Sequence, residues 1–340
     1  MMLKGAIVGL GNVAIHGHLS GWEGCDRAEI VAAADSLESR LVQQRSRLPG
    51  ARFYTDVGAL LESEALDFID VCTPPGTHAA IVHLALGRGV HVLCEKPLVL
   101  SLEELRVVGE ARAKRGCVLY TVHNWRYAPI IMKATDLIRS GSIGAVRRVR
   151  WETFRHGPVL SAVQGARSDN WRLDPGMAGG GVLLDHGWHA LYVILQWVGE
   201  GPQTVAASLE KRERPDWPVE DTATLQLGFP EAVADVFLTW ASSRRENRAE
   251  VVGTRGTIRV EDETLILADG RGERSWRFEQ PLSQGSYHPE WFCQVREDFL
   301  CEIAGGTQKG ENLVMASLCV QLVQLAKESH SRGGQPSALR

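Results

Sequence analysis

Through about residue 123, apolar positions fall in short β-branched runs separated by longer helical stretches, the rhythm of a parallel sheet covered by helices on both faces. Lys4 to Val8, Glu29 to Ala34, Phe68 to Cys72, Val90 to Leu93 and Val118 to Val122 are the strands this rhythm predicts. Ser101, followed by Glu104, opens the helix between the last two as a capping box, in which each side chain satisfies an orphan amide. After residue 123 the pattern changes. A helix is predicted over Pro129 to Arg139 and a strand over Val146 to Phe154, followed by a loop rich in Gly, Arg, Ser and Asp. Between Thr204 and Phe278 come closely spaced β segments, among them Thr222 to Leu227, Ala232 to Trp240, Arg248 to Val252 and Thr257 to Val260. Their short connections favour antiparallel pairing. Helices over about Glu290 to Ile303 and Glu311 to Lys327 close the pattern, and the polar tail from His330 is expected to fray. The chain is thus divided into an α/β domain, residues 1–123, with a doubly wound parallel sheet, and an α+β domain, residues 124–340.

Two domains suit 340 residues, more than one hydrophobic core usually serves. A formal charge of −4 with no basic run argues against nucleic acid or an anionic membrane as partner. Cys25, Cys72, Cys94, Cys117, Cys293, Cys301 and Cys319 are scattered and never spaced C-x-x-C, which fits a reducing compartment rather than a disulfide framework. The opening MMLKGAIVGL is too soon broken by glycine for a secretory segment, and no apolar run reaches membrane-spanning length. A cytoplasmic protein is expected.

Candidate chemistry begins at Gly9-Leu10-Gly11-Asn12-Val13-Ala14, a G-x-G-x-x-A turn between a strand and a helical stretch. The first glycine permits the tight turn, the second lets a pyrophosphate approach the backbone, and Ala14 allows close helix packing. A glycine-rich strand-to-helix turn with no ligand is the plain alternative. Asp35, at the end of the second predicted strand, is placed to accept from adenosine ribose hydroxyls and to repel a 2'-phosphate, although it also suits a helix cap. With Ser36 beside it and Arg40 able to offset its charge, the reading is NAD(H) in preference to NADP(H). Further strands exit into Thr73-Pro74-Pro75-Gly76-Thr77-His78 and Cys94-Glu95-Lys96-Pro97, at the edge where such sheets bind ligands. Thr77 alone would pass for an N-cap, and Lys96 alone for a solvated lysine.

The partner for Lys96 is sought in the apolar stretch from Gly179-Gly180-Gly181 to Tyr192. Asp185 and His189 stand i and i+4, so on a helix they share a face with Tyr192. Polar groups sunk in an apolar element are costly unless paired or functional. Asp185 would orient the imidazole and His189 exchange a proton with a substrate hydroxyl, the plain alternative being a hydrogen-bonded pair within the helix. His186 and His189, with His16, His18 and His156 elsewhere, complete no recognisable ligand set, so no metal is expected.

G-x-G-x-x-A, C-E-K-P and D-x-G-x-H in this order resemble the Gfo/Idh/MocA family of glucose-fructose oxidoreductases and inositol dehydrogenases. Asn170 to Pro175 and Val252 to Ile258 add to the likeness. The resemblance implies a Rossmann domain joined to an α+β domain with an open, mostly antiparallel sheet, whose exposed face often mediates a homodimer or homotetramer. It implies catalytic roles for Lys96, Asp185 and His189, cofactor roles for Gly9, Gly11 and Asp35, and a cis bond before Pro97. Where relatives often carry Asp, this chain has Tyr192. Cofactor contacts are also expected from Asn12, Val13, Ala14, Ser36, Arg40, Thr73, Pro74, Pro75, His78, Glu95, Lys96, Asn124, Trp171 and Arg172. Arg126, Arg155, Arg167, Trp171 and Tyr192 join the catalytic residues as expected substrate contacts. Arg155, Arg167 and Arg172 suggest an anionic substrate, since a guanidinium matches carboxylate or phosphate bidentately. The reaction expected is hydride transfer at a secondary alcohol carbon of a sugar, sugar acid, nucleotide sugar or cyclitol. A redox-assisted lyase or glycosidase with retained NAD, and a non-catalytic dinucleotide sensor, are the alternatives.

Overall fold

In a computed structural model of the chain, the described residues are 2–159, 170–285, 287–305 and 310–339. The chain forms two compact units. In the first, strands β1 (Leu3–Val8), β2 (Ala28–Ala34), β3 (Arg52–Tyr54), β4 (Phe68–Val71), β5 (His91–Cys94) and β6 (Leu119–Thr121) pair in parallel in the order 3-2-1-4-5-6. Parallel neighbours require crossover connections, and helices α1 (Leu19–Trp22), α2 (Glu38–Gln44), α3 (Val57–Ser63), α4 (His78–Gly87) and α5 (Leu102–Arg115) lie in them. The order reverses between β1 and β4, which opens a crevice at the carboxyl edge of the sheet. Ala6, Ile7, Val8, Phe68, Ile69 and Val71 are buried, as central strands covered on both faces must be. The capping box of α5 is present. Ser101 Oγ accepts from Glu104 N at 3.1 Å, and Glu104 Oε2 accepts from Leu100 N at 2.8 Å.

The second unit contains α6 (Pro129–Arg139), β7 (Val146–Phe154), α7 (Pro175–Ala178) and α8 (Trp188–Val198). They are followed by β8 (Thr204–Glu210), β9 (Thr222–Gly228), β10 (Val233–Thr239), β11 (Glu246–Gly253), β12 (Gly256–Glu261), β13 (Thr264–Asp269), β14 (Gly272–Arg277) and, near the end of the chain, β15 (Ser337–Ala338). These strands form one sheet in the order 14-13-12-11-7-10-9-8-15. Pairing is antiparallel except between β7 and β10, which run parallel. Along β7, Val149, Trp151 and Thr153 are buried, while Arg148, Arg150 and Glu152 face the other way. On the buried side Trp151 meets Trp197 of α8 at 5.8 Å between rings. On the opposite face Arg148 pairs with Asp235 at 2.6 Å and Arg259 with Glu273 at 3.3 Å. The tail departs from the expectation of fraying. Ser337 and Ala338 pair with β8, and buried Ser329 donates to Gln335 O at 2.8 Å while accepting from Ala207 N at 2.9 Å. These backbone bonds hold it.

Helix α9 (Pro289–Ile303) and the start of α10 (Glu311–Ser331) belong to the first unit, although they follow the second in sequence. Phe292 stacks on His18 at 4.0 Å, and Phe299 packs edge-on to Phe68 at 5.7 Å. Asn312 closes the amide edge of β6, accepting from Thr121 N at 2.7 Å and donating to Thr121 O at 2.9 Å. Residue 124 ends the first unit's leading segment, but the division at residue 123 leaves out this return.

Candidate active site

The G-x-G-x-x-A turn leaves β1 with Gly9 at φ +89°, a backbone state that disfavours a side chain. A Cβ there would lie 2.9 Å from Thr73 N, so glycine is also what lets this turn touch the loop after β4. At Gly11 an added Cβ would meet nothing within 4 Å, leaving the open approach that a pyrophosphate needs. Asn12 and Val13 are half-buried, and buried Ala14 begins a π-helical turn, Ala14–His18, where an ordinary helix was the expectation. These residues fit a dinucleotide cofactor.

Asp35 is buried. Its Oδ2 accepts from Leu10 N at 2.7 Å, its Oδ1 from Leu37 N at 2.8 Å, and Arg40 Nη1 stands 3.3 Å from Oδ2. The carboxylate therefore ties the glycine turn to the start of α2, with exposed Ser36 between.

Thr73 and Pro74 are half-buried and Pro75 buried at the carboxyl edge. Thr77 makes no cap bond; its hydroxyl donates to Pro74 O at 2.8 Å. His78 is a clamp rather than a cofactor ligand, because its ring nitrogens lie 2.8 Å from Pro97 O and 2.8 Å from Thr73 O. Burial pushes its pKa below the ordinary value for histidine, against the pull of those carbonyls. The Lys96–Pro97 bond is cis. Glu95 is likewise turned inward, its Oε2 accepting from Lys96 N at 2.9 Å and its Oε1 lying 3.0 Å from His18 Nε2. Asn124 opens a short 3-10 turn, Asn124–Tyr127, that includes half-buried Arg126.

In the second unit the stretch before α8 is also wound as a π turn, Leu183–Gly187, so Asp185 and His189 are not a simple α-helical pair. Gly181 admits this turn against its neighbour. A Cβ would lie 1.9 Å from Glu220 O, and Glu220 Oε1 accepts from Leu183 N at 3.1 Å. His189 is 7% exposed. Its ring stacks on Trp125 at 4.5 Å and 12°, and its Nδ1 lies 2.8 Å from Tyr192 Oη, which accepts from Trp125 N at 3.0 Å. Tyr192, expected to touch substrate, is buried and bonded to the His189 ring and the Trp125 amide. Asp185 Oδ2 lies 3.6 Å from Arg172 Nε and 3.6 Å from His186 Nε2, and the Arg172 guanidinium stacks over Trp171 at 4.3 Å.

Arg155 departs from the expected arginine cluster. Arg155 is 2% exposed, with Nη1 donating to Phe154 O and Glu246 O and Nη2 to Asn247 Oδ1. Burial, with the charge of Arg245, lowers its pKa to about 10. A guanidinium bound to three protein acceptors is a structural group, and this corrects its assignment to substrate. Arg167 lies outside the described residues. Among those residues, one set of His, Cys and carboxylate donors, on His18, Asp70 and Cys72, comes within 4.8 Å of mutual approach. Burial, with the charge of Asp70, pushes the Cys72 thiol well up. Sequence reasoning missed Trp125, which lies far from His189 in the chain, and the inward turn of His18. No described helix is long and apolar enough to cross a membrane.

Two family models match. One, described as an oxidoreductase family with an NAD-binding Rossmann fold, spans residues 3–123; the other, a GFO/IDH/MocA C-terminal domain, spans residues 131–259. The chain is 30% identical to a D-apiose dehydrogenase of Paraburkholderia graminis, over 80% of this chain and 71% of that one. It is 28% identical to a myo-inositol 2-dehydrogenase of Thermotoga maritima, over 80% of each. A D-xylose 1-dehydrogenase (NADP(+)) of Haloferax volcanii is 32% identical over 55% of this chain and 54% of its own. With its glycine turn, its E-K-P turn after β5 and its histidine on α8, the chain belongs to the GFO/IDH/MocA family of oxidoreductases.

Proposed function

We propose that this oxidoreductase moves a hydride between NAD(H), used in preference to NADP(H), and a secondary alcohol carbon of a sugar or cyclitol, with Lys96, Asp185 and His189 as catalytic residues. The observation that carries the reading is the seat of His189, an imidazole fixed by the Trp125 ring and the Tyr192 hydroxyl. The Tyr192 hydroxyl oxygen accepts from Nδ1–H in both the neutral and the charged ring, which assigns the proton exchange to Nε2. His189 then takes the alcohol proton in oxidation and returns it in reduction. Lys96 donates a hydrogen bond to the same oxygen and stabilises the negative charge that develops there. Asp185 pairs with Arg172 and faces His186, and its charge favours the protonated form of the His189 imidazole. The bound nicotinamide supplies the hydride acceptor or donor.

The preference for NAD(H) rests on the buried Asp35 carboxylate, which a 2'-phosphate would meet unfavourably; Arg40 at 3.3 Å tempers that repulsion. The substrate class draws on the relatives named for D-apiose, D-xylose and myo-inositol. We further expect a homodimer or homotetramer through the outer face of the nine-stranded sheet, which sedimentation velocity would register as a mass twice or four times that of the chain. The functional test is to assay the purified protein with D-apiose, D-xylose and myo-inositol, following reduced nicotinamide with NAD+ and with NADP+. Turnover of at least one supports the reading; no change in nicotinamide absorbance across sugars, cyclitols and their acids removes it.

A further inference from the structure

Behind its cofactor turn the first unit buries His18, Asp70, Cys72 and Glu95 in one connected string. His18 ends the π turn that begins at Ala14. Its Nδ1 lies 2.9 Å from Asp70 Oδ2 and 3.1 Å from Cys72 Sγ, and its Nε2 lies 3.0 Å from Glu95 Oε1. Asp70 Oδ2 also accepts from Trp22 Nε1 at 2.7 Å, and Asp70 Oδ1 faces Cys72 Sγ at 3.7 Å. Phe292 covers the imidazole. The groups that face the ring are thus Asp70 and Cys72 from β4 and its exit and Glu95 from the exit of β5, while α1 and α9 bring only Trp22 and Phe292.

Counting protons decides the state of the ring. Both nitrogens face carboxylate oxygens, which only accept when ionised, so both nitrogens must carry hydrogen. Burial alone would lower the pKa of His18, but the charge of Asp70 and the hydrogen bonds outweigh it and leave the ring protonated well above the ordinary range. For Glu95, burial pulls upward, yet the hydrogen bond and charge of His18, with Lys96, bring it below the ordinary carboxylate range. Removing one member of such a set leaves an uncompensated buried charge.

Glu95 has a second task, since its other oxygen holds the backbone N–H of Lys96. One bonded path therefore runs from the turn that cradles the cofactor, through His18 and Glu95, to the peptide that carries the lysine. We propose that His18 is a positioning residue for Lys96, an imidazolium that fixes Glu95 and links the state of the Ala14–His18 turn to the placement of the lysine. This rests on the assignment of Lys96 to the reacting oxygen.

Two measurements test it. The first needs neither cofactor nor substrate: nitrogen-15 NMR of the histidine rings in the nucleotide-free protein should show His18 doubly protonated at pH values well above about 6.5, the ordinary value for histidine. A neutral ring at neutral pH, or a stoichiometric metal ion in the purified protein, overturns the proposal. The second is a cycle of His18→Gln, which keeps a donor toward Glu95 without the charge, against Lys96→Ala, with His18→Ala as the harsher variant. Kinetics use whichever of D-apiose, D-xylose or myo-inositol turns over fastest, and NADH affinity is read by fluorescence. His18→Gln should lower kcat about tenfold with KM and NADH affinity little changed, and should add no loss in the Lys96→Ala background. The same fold loss in both backgrounds overturns positioning in favour of bulk stability. Full turnover by Lys96→Ala alone defeats the assignment of Lys96 instead, a result distinct from either outcome for His18.

Discussion

Lys96 and His189 act on the reacting oxygen in this reading, so their loss should separate rate from binding. Lys96→Ala and His189→Ala are expected to lose about 10²- to 10⁴-fold in kcat while binding NADH nearly as wild type. Most of kcat surviving in either variant would remove that residue's role. Tyr192→Phe takes the partner from His189 Nδ1 and from the Trp125 amide together. At about 1 kcal/mol for a hydrogen bond, kcat should fall several-fold, and an unchanged kcat would reduce Tyr192 to packing. Asp35→Ser should narrow the preference for NAD over NADP in kcat/KM, and Arg40→Ala should widen it; no movement in either would make Asp35 only the tie between the glycine turn and α2. Protonation also bears on stability. The raised pKa of His18 gives a contribution that is complete below its unfolded value and lost as pH rises through its folded one, whereas the lowered pKa of Glu95 gives one lost as pH falls through its folded value. Melting temperature against pH should show a plateau between these limbs, and His18→Gln should flatten the alkaline one.

At the scale of elements, Gly181 is the sharpest test of local geometry. Gly181→Ala would drive a methyl into Glu220 O and should cost about 1–3 kcal/mol, seen as a lower melting temperature, while Gly270→Ala, where nothing stands within 4 Å, should be nearly neutral. How far such elements were legible depended on whether their cause was local. Helix α6 and strand β7 were predicted with the observed ends, because Pro129 starts one and alternation from Val149 to Glu152 marks the body of the other. The glycine turn and the E-K-P turn were legible for the same reason, as short motifs at strand exits. The π turns at Ala14–His18 and Leu183–Gly187 were not, since one extra residue in a turn leaves the apolar periodicity almost unchanged. The parallel pairing of β7 with β10 escaped as well, because it joins segments some eighty residues apart around the Arg148 to Val233 register. Arg155 was misread for a further reason: a loop arginine bound to backbone carbonyls and one aimed at a substrate look alike in sequence.

For the whole molecule, the return of α9 to the first unit makes that unit discontinuous in sequence. Residues 1–124 alone would expose Phe68 and Tyr120, which Phe299 covers, and the faces of His18 and Trp22 against which Phe292 packs. A fragment ending at residue 124 should therefore bind a hydrophobic dye and melt well below the full chain; native-like melting would show that α9 is dispensable. The order of synthesis gives this arrangement a further meaning. While a ribosome is still making the second unit, the first waits with an apolar flank that only residues near 292–299 can close. A growing chain cannot finish its nucleotide-binding half until the second unit's intervening sheet segment and residues near 299 have been made, which makes this flank a natural target for chaperones that scan nascent proteins.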